Sequence, residues 1–282
     1  MPLGGSILPA VSLNVLLNTH CRRAAWAWLV AVAAVLGSLP AVAADTCAKP
    51  RIDDYAAVAY VYDGDTVRLG DGRHVRLIGI NTPEIGHHGE PSQPFAIKAK
   101  QALMKLLMSH RQALGLHYDK DRFDRYHRVL AHVYVDGRSV EAWLLDQGLA
   151  TLLIVPPNDE NLACYAAAEQ AARDDRRGLW RLPEYQITPV ERLSGDDDGY
   201  RIIRGEVTRV AHSAHAVWVH LGDQVELRID RQDLPFVRPL DPDALVGKDV
   251  IARGWLHTRG GNRLWMRVRH RAALYLAAPS EK

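Results

Sequence analysis

A net excess of either charge is almost absent from this 282-residue chain, in which 35 Lys and Arg stand against 33 Asp and Glu. Net charge therefore supplies no general pull on a polyanion, and any grip on one has to come from local patches. Cysteine is scarce as well, with three in the chain, so a disulfide-dense scaffold is excluded. Low-complexity tracts and coiled-coil repeats are missing. What remains, at 48% hydrophobic residues, is ample for one large core or two small ones.

The N-terminus is set apart. Arg22 and Arg23 precede an apolar run from Ala24 to Leu39, followed by Pro40 and small residues through Ala44. Residues 1–44 thus have the layout of an export signal cleaved after Ala43 or Ala44, with an N-terminal membrane anchor as the alternative. Loss of residues 1–43 removes Arg22, Arg23 and no acid, which lowers the basic residues from 35 to 33 and leaves the mature chain neutral. Cys21 departs with the signal, and Cys47 and Cys164 remain as the pair expected to form a disulfide in a periplasmic or secreted protein.

Residues 55–69 and 73–80 alternate in polarity around Gly70-Asp71-Gly72, the pattern of antiparallel strands. Apolar spacing predicts a helix over 94–109, strands over 114–118 and 129–135, a short helix over 140–147 and a third over 158–173. Five strands with added helices over residues 54–181 predict a small Greek-key barrel. Residues 182–200, with Pro183, Pro189 and an acidic Gly-bounded run, read as a linker. Three strands, an irregular stretch and two strands over 201–275 then predict a second oligonucleotide-binding-type (OB-like) barrel.

Chemistry concentrates at Asp63-Gly64-Asp65-Thr66 and at Arg76 through Asn81-Thr82-Pro83-Glu84. An arginine inside an apolar strand needs anionic partners, and Asp65 and Glu84 are the nearest. Such a cluster suits a hard divalent cation together with a phosphate, although Asp-Gly alone is also an ordinary turn. With Asp124-Arg125-Tyr126-His127-Arg128, Gln147-Gly148-Leu149-Ala150 and Gly178-Leu179-Trp180 added, the chain resembles the staphylococcal nuclease (thermonuclease) family over about residues 54–181.

That resemblance implies a mainly β fold and calcium-dependent hydrolysis of phosphodiester bonds in DNA or RNA, leaving 3′-phosphate ends. It assigns Asp65, Asn81 and Thr82 to the metal, Arg76, Glu84 and Arg128 to catalysis, and Arg125 and Tyr126 to the substrate's terminal phosphate. Asn81 stands where the family has a second metal carboxylate, and His127 where it has a glycine. Ile154 and Pro156 fall where the founding enzyme flanks the base with tyrosines. The alternative is a nuclease-like binding protein with weak or no catalysis.

In the second barrel Arg263, Trp265, Arg267, Arg269 and Arg271 share one strand parity, and Arg253, Trp255 and His257 share another. The expected result is a basic, aromatic face able to grip nucleic acid, with Trp255, Trp265, Arg267 and Arg269 at its centre. Arginine stems that merely cover a sheet, or a face for protein or cell-surface contact, are the alternatives.

Overall fold

The computed structural model describes Met1, Cys47 and residues 51–109, 113–260 and 263–278. The expected export signal lies, apart from Met1, outside the described residues. Among those residues no helix is long and apolar enough to cross a membrane. Residues 43–282 form one compact unit, to which all that follows belongs.

The elements run β1 Asp54–Ala56, β2 Val58–Val61, β3 Thr66–Leu69, β4 His74–Leu77, β5 Gly79–Asn81, α1 Ala96–Ser109, β6 Leu114–His117, β7 Val129–Val135, β8 Arg138–Ser139, α2 Val140–Asp146, β9 Thr151–Leu153 and α3 Leu162–Asp174. After them come β10 Ile187–Pro189, β11 Gly199–His212, β12 Ala216–Leu221, β13 Val225–Asp230, α4 Leu234–Val237, β14 Asp249–Arg259, β15 Arg263–Arg267 and β16 Leu274–Leu276.

The first sheet closes because β1 and β2 act as one bent strand. Tyr55 of β1 lies opposite Gly115 of β6, while Val61 of β2 lies opposite Val67 of β3. From β3 the circuit passes antiparallel to β4, parallel to β7 with Val75 opposite Val129, and antiparallel to β6. The second sheet closes through β11, which pairs with β14 along its first half and, past an irregularity at Val207, with β12 along its second. Here β12 meets β13, β13 runs parallel to β15 and β15 returns to β14. Both circuits therefore join five strands in the order first, second, third, fifth, fourth, with the third and fifth parallel.

Alternation explains which side of each strand is buried. Val217, Val219, Leu221, Leu227, Ile229, Leu264 and Met266 are buried in the second barrel, and the residues between them face outward. In the first barrel Val67, Leu69, Val75, Leu77 and Leu116 meet Leu103 of α1, Leu144 and Leu145 of α2 and Tyr165 of α3. Each such side chain contributes about 1.5–3 kcal/mol of burial.

Three boundaries differ from the sequence expectation. The third helix starts at Leu162 rather than Asn158, because the Asn158 amide is engaged elsewhere: its Oδ1 accepts from the Asp121 N–H at 2.7 Å and its Nδ2 donates to the Asp121 carbonyl at 2.8 Å. Residues 182–200 are docked: Thr188 pairs with Ile203, and Val190 and Leu193 are buried in the second core, two apolar anchors that the prolines and acids obscure. The last expected strand ends at Arg267, and β16 pairs separately with β14.

A buried ion pair joins the two barrels. Arg253 of β14 donates to both oxygens of Glu169 of α3, at 2.5 and 2.6 Å, and to the Tyr200 hydroxyl at 3.0 Å. Around it Ala172, Trp180, Ile202 and Ile251 form a third apolar cluster. Arg253 is 5% exposed, so it leaves the basic outer face predicted for it and serves the junction instead.

Glu141 is fully buried in the first barrel and accepts from the Val133 N–H at 2.8 Å and the Ser139 hydroxyl at 3.0 Å. Burial pushes its carboxyl up to about 7. The folded state therefore holds a proton that the unfolded chain releases. The stability this brings is full below the ordinary glutamate range and is lost as pH rises through about 7. Glu141→Gln removes that dependence, so its urea stability relative to the parent should climb between about pH 5 and about pH 8, by on the order of 2 kcal/mol. A flat or falling difference would refute this account.

Candidate active site

The acidic end is built by a tight passage of chain. A Cβ on Gly64 would lie 2.7 Å from Thr82 Cγ2 and 2.8 Å from Ala99 Cβ, so only glycine lets the 63–65 turn rest on Thr82. Asp65 is 4% exposed, and its Oδ2 accepts from the Thr82 N–H at 2.8 Å and the Thr82 hydroxyl at 3.1 Å. Arg76 of β4 pairs with the same oxygen at 3.1 Å. Its remaining bonds go to the carbonyls of Leu77 and Ile80 and to Asn81 Oδ1. Asp65 is thus the anionic partner that Arg76 requires; Glu84 forms no ion pair with it among the described residues.

Asp63 also belongs to this group, although sequence reasoning left it out of the ligand set. Burial, then the charge of Asp65, raises its carboxyl to about 6. Glu84 stands at the exposed rim, and its carboxyl too is raised, by burial and by Asp65. The Asp65 charge acts on both, so Asp63, Asp65 and Glu84 share one neighbourhood of hard oxygen donors, the donor type a divalent cation takes. Asn81 is turned inward: while its Oδ1 accepts from Arg76, its Nδ2 donates to the Thr82 carbonyl at 2.9 Å.

The opposite end is the loop before β7. Asp124 fastens it, accepting from the Tyr126 and Arg128 N–H groups at 2.9 Å each and from Arg128 Nε at 2.7 Å. Burial works against the Asp124 carboxylate, but these donors outweigh it and hold its pKa below the usual range. The two terminal nitrogens of Arg128 make no hydrogen bond among the described residues. His127 stands at φ 60°, the left-handed conformation that favours glycine. Arg125 lies over the exposed Tyr126 ring, 4.7 Å from its centroid.

Arg76, Arg125, Tyr126 and Arg128 line one cleft of about 600 Å³. Val155 and Pro156 form part of its wall, and Ile154 is buried at 5% exposure, so the surface at these positions is aliphatic. Arg267 and Arg269 of the second barrel line the same cleft. Trp255 lines an adjoining cavity, whereas Trp265 lies on the outer sheet face with its ring 4.9 Å from His257. Cys47 and Cys164 are joined as a disulfide. His87 and His88 are exposed. Among the described residues, the metal-type donors whose ligand atoms come within 4.8 Å of one another are Asp119, His132 and Glu160. This group contains none of the expected ligands, and the spacing of these residues along the chain gave no sign of it.

Residues 74–182 match the family model described as staphylococcal nuclease homologue. The chain is 37% identical over 128 residues to endonuclease YncB of Bacillus subtilis, covering 44% of this chain and 60% of that protein. It is also 37% identical over 128 residues to the SPbeta prophage-derived endonuclease YokF of the same organism, of which it spans 43%. With the thermonuclease of Staphylococcus intermedius it shares 33% identity over 126 residues, 44% of this chain and 74% of that one.

Proposed function

Since the chain belongs to the staphylococcal nuclease family, we propose that it is an exported, metal-dependent phosphodiesterase that hydrolyses DNA, RNA or both. The observation that carries this reading is the pair of arginines lining one cleft: Arg76 anchored on Asp65, and Arg128 aimed by Asp124 with its two terminal nitrogens making no hydrogen bond among the described residues. Such planar forks neutralise charge that builds on a five-coordinate phosphorus. Glu84, with its raised pKa, suits a base that takes the proton of the attacking water. Arg125 and Tyr126 would hold the terminal phosphate. Departure of the 5′-oxygen then leaves a 3′-phosphate.

Asp63 and Asp65, with the free lone pair of the Thr82 carbonyl, would hold the cation, and calcium is the ion that the family resemblance implies. When bound, the ion neutralises phosphate charge that the arginines do not reach. The disulfide supports an oxidising, exported setting. Asn81 supports the second reading, a binding protein of weak catalysis, because it brings no charge to the site.

A fluorescent-oligonucleotide assay on the purified chain separates the two readings: cleavage with calcium that chelation abolishes is expected, and no cleavage with any divalent ion would sink the enzyme reading. Asn81→Asp removes the amide donor from the Thr82 carbonyl and adds a negative charge. Calorimetric titration should show calcium binding about tenfold tighter. Unchanged or weaker binding would mean that this position does not face the ion.

A further inference from the structure

The second barrel carries the observation that the nuclease reading leaves unused. Its Arg267 and Arg269 lie in the cleft with Arg76, Arg125 and Arg128. The adjoining cavity, about 310 Å³, shares Leu153, Val155, Arg267 and Arg269 with that cleft. Its remaining wall includes Trp255, His257 and Tyr200. In this adjoining cavity the first barrel offers only aliphatic Leu152, Leu153, Ile154 and Val155, so the planar groups there come from the second barrel, while Phe123 and Tyr126 of the first barrel line the cleft itself.

The outer sheet face continues the same chemistry away from the cleft. Strand pairing sets Trp218, Arg228 and Arg267 in one row across β12, β13 and β15. A second row is His220, Glu226, Trp265 and His257, and beyond it Arg259 lies opposite Arg263. Arg228 and Arg259 approach the Trp218 ring at 5.6 and 5.7 Å. The acids here orient the cations. Arg267 is held at 2.7 Å by Asp230 and 3.0 Å by Asp233, and Arg269 lies 3.5 Å from Asp233 with its buried Nε making no hydrogen bond. Arg228, Arg259, Arg263, Arg267 and Arg269 outnumber Glu226, Asp230 and Asp233 here, which leaves the surface cationic.

We propose that the second barrel is the substrate-selecting wall of the cleft and that its occupant is a single strand of nucleic acid. Arg267 and Arg269 take the phosphate next to the scissile one, Trp255 and His257 take its base, and the strand continues over the Trp218 and Trp265 face. Stacking needs bases whose faces are free, so a paired duplex gains little from this wall. The alternating cations and rings match a polyanion carrying flat bases, in a chain whose overall charge supplies no such attraction. The inference rests on the nuclease reading for the scissile position only.

Fluorescence anisotropy of the full chain with labelled oligonucleotides of about 20 nucleotides, in chelator, reads binding without cleavage. Arg269→Ala and His257→Ala should each weaken single-strand binding by about tenfold, and their combination by more, with a much smaller change for duplex. In the cleavage assay KM for single strands should rise more than kcat falls. Trp265→Ala, on the exposed face, gives the same direction and guards against a variant that fails to fold. Photocrosslinking of a 5-bromouracil oligonucleotide to the unaltered chain should label Trp255 or Trp265. Unchanged single-strand affinity, an equal loss for duplex, or crosslinks confined to the first barrel would overturn the proposal. Absence of cleavage with this binding pattern intact would overturn the nuclease reading alone.

Discussion

Arg128→Ala should lower kcat by about 10³-fold or more on any substrate the protein cleaves, with the melting temperature nearly unchanged. Arg128 does little for the fold: its side chain is 31% exposed, and its one ion pair among the described residues is with Asp124. Such a half-buried surface pair is worth on the order of 1 kcal/mol. Its value lies in aim, because Asp124 grips Nε and the backbone on one side and leaves the rest of the fork toward the cleft. Arg128→Lys keeps the charge but loses the fork and the Nε bond, so it should recover only a small part of the rate. Asp124→Asn weakens the aim while keeping the guanidinium, and should fall between the parent and Arg128→Ala. Steady-state kinetics with a saturating divalent ion decide the matter. A rate for Arg128→Ala within tenfold of the parent would remove this residue from the chemistry.

Local pattern revealed most of the strands and part of the site. β7 runs from Val129 to Val135, the span its apolar pattern predicts. The pairing of Arg76 with Asp65 was legible because each sits in a short motif whose residue types make sense together. The orientation of the Asn81 amide was not legible, because residue type cannot tell which way an amide points. Here it points at Arg76 and the Thr82 carbonyl. Parity along β14 put Arg253 beside Trp255 on a nucleic-acid face. Its true partner, Glu169, is 84 residues away in sequence, and no local period reports a pairing at that distance. The same limit hid the shared cleft: Arg267 and Arg269 were visible as cations, but their meeting with Arg76 and Arg128 depends on how the barrels join.

That junction sets the second large effect. Glu169→Ala should destabilise the protein by about 3–5 kcal/mol, because it leaves Arg253 buried without its carboxylate. Burial alone would raise the Glu169 carboxyl, yet Arg253 outweighs it and the pKa is lowered. Its stabilisation is therefore present above the ordinary glutamate range and lost as pH falls through the depressed folded value. Glu169 also accepts from the Leu152 N–H at 2.7 Å, so its loss loosens β9 beside the cleft as well. Replacing both partners by apolar residues, Glu169→Leu with Arg253→Met, removes the stranded charge and should restore most of the stability in urea denaturation. If Arg267 and Arg269 act through a wall fixed by this junction, the double variant keeps its fold but binds single strands less tightly, since the bidentate geometry that sets the barrels in register is gone. A Glu169→Ala chain as stable as the parent would show that solvent reaches Arg253 and that the ion pair does not hold the two barrels together.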